Sequence, residues 1–113
     1  MNKKGQILVV DDQSGIRLLL QAFFAQNGWS VLVASNGLEG LKLVETQEFD
    51  FAFIDMKMPI MDGVTFIEEL VKRNKKFPWA LMTAYGEAEL ASKAVALGTV
   101  AIIPKPFDMD DVL

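Results

Sequence analysis

Apolar runs in this chain repeatedly end on polar residues. QILVV leads into Asp11 and Asp12, FDFAFI into Asp55, WALM into Thr83, and TVAIIP into Lys105. Short runs of this kind fit strands of a sheet, and Phe49 to Ile54, apolar apart from Asp50, reads as a central strand covered on both faces. A parallel sheet gathers the carboxyl ends of its strands along one edge, which is where open α/β folds bind ligands. The pattern therefore predicts one pocket, with three carboxylates, a hydroxyl and an ammonium drawn from distant parts of the chain.

Helical stripes fill the intervals. Ile16, Leu19, Leu20, Phe23 and Phe24 recur at the spacing of a helix lying on a sheet, with Ser14 as the expected N-cap and Asn27-Gly28 as the stop. Trp29 to Ala34 reads as a second strand. Asn36 caps the next helix, with Glu39 three residues on, and Leu38, Leu41 and Val44 supply its buried face. Val64, Ile67, Leu70 and Val71 mark a third helix, and Phe77 to Met82 a fourth strand. Ala88 to Leu97 is an alanine-rich fourth helix closed by Gly98, Thr99 to Ile103 a fifth strand, and Asp108 the cap of a fifth helix that is cut short. Alternating βα units imply a doubly wound α/β fold with right-handed crossovers. For five parallel strands the flavodoxin-like order 2-1-3-4-5 is expected, with the switch point between strands one and three, which end at Asp12 and Asp55. The fifth strand is then an edge, where Pro104 is tolerated.

Composition narrows the function. With 113 residues the whole span 1–113 is expected to form one domain. No apolar stretch is long enough to cross a bilayer, and MNKKGQ leads into a strand without the features of a secretion signal. The chain has no cysteine, which excludes disulfides and thiolate chemistry and fits a cytoplasmic setting. It also has no histidine, so any phosphohistidine donor must be another molecule. A net charge of −4 makes this domain a poor binder of nucleic acid.

Each polar residue has an ordinary structural explanation. An Asp-Asp pair after a strand often serves a loop or a cap, a terminal threonine is common, and a lysine is usually solvated. Asp55 is harder to assign to capping, because Met56-Lys57-Met58-Pro59 follows it. Two prolines flank Lys105, and a cis bond before Pro106 would suit the tight turn. Taken together, the residues fit nucleophilic carboxylate chemistry. An aspartate would hold a phosphoryl group as an acyl phosphate, a hard cation such as Mg²⁺ (or Mn²⁺) would neutralise phosphoryl oxygens, and the lysine and threonine would stabilise the remainder.

The motifs ILVVDDQ, FAFIDMKMPIMDG, MTAYGE and PKPFD, in this order and spacing, resemble bacterial two-component response-regulator receiver domains along nearly the whole chain. VDDQ, DMKMP, MTAYGE and KPFDMD look closest to the single-domain regulators of sporulation phosphorelays. The resemblance implies a CheY-like form of the expected fold. It implies that Asp55 is the phosphoacceptor, that Asp12 is a direct metal ligand and Asp11 one through water, and that the Lys57 carbonyl also binds the metal. It further implies that Thr83 and Lys105 contact the phosphoryl group and that Gly63 shapes the loop beyond Asp55. The implied partner is a sensor histidine kinase or phosphotransfer protein, docking in part on the first helix through Ile16, Leu19 or their neighbours, with no membrane and an unknown downstream effector. Slow autodephosphorylation would reset the domain. One departure is Ile102, where many receivers carry a switching aromatic; Tyr85 is the alternative gate. The short ending is a second. Alternatives are the front of a longer regulator, an aspartyl-phosphate hydrolase, which would need an acid at the position of Lys57, a flavodoxin-like cofactor binder, which would need a phosphate loop in place of the acidic pair, and a non-phosphorylated interaction module.

Overall fold

The strand signals become five parallel strands in a computed structural model, which describes residues 5–83 and 95–104. The elements are β1 (Gly5–Val10), α1 (Ser14–Gln26), β2 (Trp29–Ala34), α2 (Gly37–Thr46), β3 (Phe51–Asp55), α3 (Gly63–Lys72), β4 (Trp79–Thr83) and β5 (Ala101–Pro104). The sheet order is β2-β1-β3-β4-β5, as the sequence predicts. Strands three, four and five each begin two residues later than the apolar runs that announce them. Phe49 and Phe77 lie just outside the ladder but still pack into the core. Burial of their rings requires no ladder hydrogen bond, so hydrophobicity alone overstates strand length.

Alternation along the strands divides the core in two. Leu8, Val10, Ala52, Ile54 and Leu81 pack against α2 and α3 through Leu41, Val44, Val64, Phe66, Ile67 and Leu70. Ile7, Val9, Phe53, Ala80 and Met82 pack against α1 through Leu20 and Phe24. The Phe24 ring stacks on Phe53 with centroids 5.3 Å apart. Phe66 is fully buried although its place in the α3 stripe was not anticipated, and truncation to alanine should cost about 3–5 kcal/mol.

Several helical residues differ from expectation. Leu19, Leu38 and Val71 are exposed rather than core. On α2, Gly37 and Gly40 occupy the buried face instead of Leu38, and a Cβ at Gly40 would meet the Phe66 ring at 2.9 Å. The close approach of α2 to α3 leaves no room for a larger residue there. Ser14 is the first helical residue of α1 rather than its cap; the N-cap is Gln13, without a side-chain capping bond. The predicted stop holds: Asn27 caps the helix and Gly28 adopts φ 93°. Asn36 caps α2 as expected, accepting from the Glu39 amide at 2.9 Å. Glu39 in turn accepts from the amide and hydroxyl of Ser35, one residue earlier than the usual reciprocal bond. The helix α3 ends in a Schellman motif: Asn74 takes φ 57°, its amide bonds Val71 O, and the Lys75 amide bonds Leu70 O. Gly98, with φ 109°, follows helical residues 95 and 96, in keeping with its predicted role as a stop. The rest of the fourth helix, Tyr85, Lys105, the Pro106 bond and the fifth helix at Asp108 lie outside the described residues.

Candidate functional site

Register explains why the acidic residues meet. Val10 pairs with Ile54 across β1 and β3, so Asp11 and Asp55 are one step further along adjacent strands. Asp55 pairs with Met82, and Thr83 follows it at the end of β4. Thr83 itself pairs with Pro104, the residue before Lys105. The β1 ladder continues through the Asp11 amide to Ala34 O, and the β3 ladder through the Met56 amide to Met82 O. These extra bonds hold the backbone on either side of the cleft.

Asp11, Asp12 and Asp55 each place a carboxylate oxygen within 4.8 Å of the others. Asp11 and Asp55 are buried, as is Thr83, whereas Asp12 faces solvent. Carboxylates this close repel by roughly 3–4 kcal/mol per pair at an effective dielectric of about 20, so the cluster favours a cation between them. The donor set is all oxygen, the preference of Mg²⁺. Octahedral coordination at about 2.1 Å puts ligand oxygens about 3.0 Å (cis) or 4.2 Å (trans) apart, which the observed spread approaches. The residues fit a hard divalent cation. Lys57, two residues beyond Asp55, is exposed, so its ammonium is solvated.

The β1–α1 turn is closely tied. Asp11 Oδ1 accepts from the Gln13 amide at 2.8 Å, an Asx-turn that leads into α1. Arg17 Nη1 donates to the Asp11 carbonyl at 2.8 Å. Neither tie was read from the sequence. A signal existed for the second: a lone cation in the first turn of α1 opposes the helix dipole unless it is partnered. In the first turn of α2, Glu39 has its pKa lowered, chiefly by the Ser35 amide, then by the Ser35 hydroxyl, with Arg17 and Lys42 adding attraction.

The loop beyond Asp55 is equally constrained. Gly63 donates to Met56 O at 2.7 Å, and a Cβ on it would lie 2.8 Å from Met56 Cα, with the Asp55 carbonyl closer still. Only glycine permits this approach of α3 to the Asp55 backbone. Asp62 caps α3, accepting from the Thr65 amide at 2.8 Å. Ile60 adopts φ 72° inside a γ-turn closed by the Met61 amide on Pro59 O. Ile102 is partly exposed on the edge strand.

A doubly wound sheet carrying a carboxylate cluster at its switch point defines the class, and comparison with known proteins identifies it. The family model for the response regulator receiver domain matches residues 7–113, and the chain belongs to that family of phosphoacceptor signalling domains. It is 38% identical to sporulation initiation phosphotransferase F of Bacillus subtilis, over 99% of this chain and 89% of that protein. It is 36% identical to the regulatory protein AtoC of Escherichia coli, of which it spans 24%. Among solved structures, the receiver domain of the Francisella response regulator 1452 superposes with a TM-score of 0.88 at 30% identity, covering 96% of this chain and 90% of that one. Chemotaxis protein CheY4 of Vibrio cholerae gives 0.87 at 26% identity, covering 95% and 91%. Among the described residues, no helix is long and apolar enough to cross a membrane.

Proposed function

We propose that residues 1–113 act as one receiver unit in which Asp55 takes a phosphoryl group from a phosphohistidine on a histidine kinase or phosphotransfer protein. The carboxylate cluster of Asp11, Asp12 and Asp55 carries this reading. Asp55 sits at the carboxyl end of the central strand, where an incoming group can approach its carboxylate along the cleft. One carboxylate oxygen attacks phosphorus, the P–N bond breaks, and the imidazole departs with the bonding electrons. Asp12, Asp55 and the Lys57 carbonyl would hold the divalent cation, with Asp11 acting through water. When bound, Mg²⁺ or Mn²⁺ would neutralise charge on the phosphoryl oxygens. Thr83 supplies a hydroxyl and Lys105 an ammonium to those oxygens.

Leu18 and Leu19, exposed on α1 beside the cleft, give the donor an apolar docking face. Phosphorylation shifts a two-state equilibrium in the loops after β3 and β4. Slow self-hydrolysis of the acyl phosphate returns the domain to its resting state. The setting is cytoplasmic. Lys57 occupies the position where an aspartyl-phosphate hydrolase would need its second acid, which disfavours turnover as the main role. The test is labelling by acetyl phosphate with Mg²⁺. Asp55→Asn is expected to abolish it; full labelling of that variant refutes the assignment of the nucleophile.

A further inference from the structure

Asp11 is tied through both of its main-chain polar groups and through its side chain. Its amide continues the sheet to Ala34, its side chain holds the Gln13 amide, and its carbonyl receives Arg17. The carbonyl is the informative one. It belongs to the same planar peptide as the Asp12 amide, so fixing its direction also fixes that plane and the place of the Asp12 Cα within it. Asp12 is the exposed member of the carboxylate cluster and has the least packing to orient it. Without a partner the carbonyl would be satisfied by water in several orientations, and the turn could sample each of them.

Arg17 is placed to prevent this. It stands in the first turn of α1, where a cation is disfavoured by the helix dipole and where no acidic residue offsets it. Its own amide makes the first helical bond, to Gln13 O at 3.2 Å, so the residue that pins Asp11 is itself anchored at the helix start. The guanidinium also adds attraction to Glu39, whose carboxylate is held first by the Ser35 amide.

We propose that Arg17 is a positioning residue for the metal-binding turn: its guanidinium pins the Asp11–Asp12 peptide and presets the Asp12 carboxylate before the cation arrives. The inference rests on the reading of Asp12 as a metal ligand. It makes a prediction opposite to simple electrostatics, in which a nearby positive charge repels a divalent cation and its removal tightens binding.

The test uses the full chain, with Mn²⁺ as the probe in calorimetric titrations, and compares the wild type with Arg17→Ala and Arg17→Lys. Arg17→Ala is expected to weaken Mn²⁺ binding by about tenfold, the usual scale for removing an outer partner of a metal ligand. Arg17→Lys keeps a charged donor and should recover part of the loss. In the metal-free protein, solvent exchange of the Gln13 amide should accelerate in Arg17→Ala and slow again in Arg17→Lys, while the melting temperature stays close to wild type. Unchanged or tighter Mn²⁺ binding by Arg17→Ala overturns the proposal. If the wild type itself binds no Mn²⁺, the metal reading falls, and the Gln13 exchange rates still decide whether Arg17 orders the turn.

Discussion

Replacing Gly63 with alanine should damage the site without touching any of its polar groups. The added Cβ would sit 2.8 Å from Met56 Cα and 3.0 Å from the Asp55 carbonyl carbon, with the carbonyl oxygen nearer still. Ordinary carbon–carbon contact is about 3.5 Å, so α3 and the β3 terminus must separate by about 0.7 Å or more. All three atoms are backbone, so no rotamer change relieves the clash. Overpacking of this kind costs about 1–3 kcal/mol, and the 2.7 Å bond from the Gly63 amide to Met56 O is stretched as well. Gly63 is the first residue of α3, where interior helix propensity returns little, so the net loss stays at about 1–3 kcal/mol. For a domain of this size that is a drop in melting temperature of roughly 4–18 °C. A displacement near 1 Å at a reacting group can cost about a hundredfold in rate, so phosphorylation of Asp55 should fall by ten- to a hundredfold. Differential scanning calorimetry and initial rates of labelling by acetyl phosphate measure the two effects. A Gly63→Ala protein with wild-type melting and wild-type labelling would show that the close approach is not required and would refute the reasoning.

Two further outcomes follow from local geometry. Ile60 is 77% exposed and holds φ 72°, a conformation costly for a β-branched side chain that buries almost nothing in return. Ile60→Gly should raise stability by about 0.5–1 kcal/mol, read in urea titrations; a loss of stability would show that the isoleucine side chain matters more than its backbone strain. The lowered pKa of Glu39 means that its ionised form is preferred in the folded protein, first because of the Ser35 amide. That contribution is fully present above the ordinary value of 4.5 and is lost as the pH drops through the lower folded-state value. The stability difference between wild type and Glu39→Gln should therefore be constant near neutrality and shrink in acid; a difference that persists unchanged at low pH argues against the Ser35 tie.

The legibility of this chain was uneven, for physical reasons. Strand order and the meeting of Asp11, Asp12 and Asp55 could be read in advance because apolar runs followed by polar residues admit few parallel arrangements. Helix faces were less certain. Leu38 is as hydrophobic as Leu41, and only the close packing of α2 on α3 decides that Gly37 and Gly40 take the buried positions. Ser14 is a better intrinsic cap than Gln13, but the Asx-turn from Asp11 sets the chain direction first, and the helix starts at Ser14 itself, one residue earlier than a Ser14 cap would place it. Arg17 was legible only as an isolated charge at the wrong end of a helix.

The sequence by itself determined the alternation of strands and helices, the acidic residues at strand ends and the family to which the chain belongs. These depend on residue type and spacing, which survive without coordinates. Tertiary structure decided which backbone atoms come within reach of those residues: Arg17 on the Asp11 carbonyl, and α3 against the Asp55 backbone through Gly63. Such contacts each bridge a single turn of the chain, but their distances are set at a scale of tenths of an ångström by the packing of whole elements, which residue type and spacing do not record.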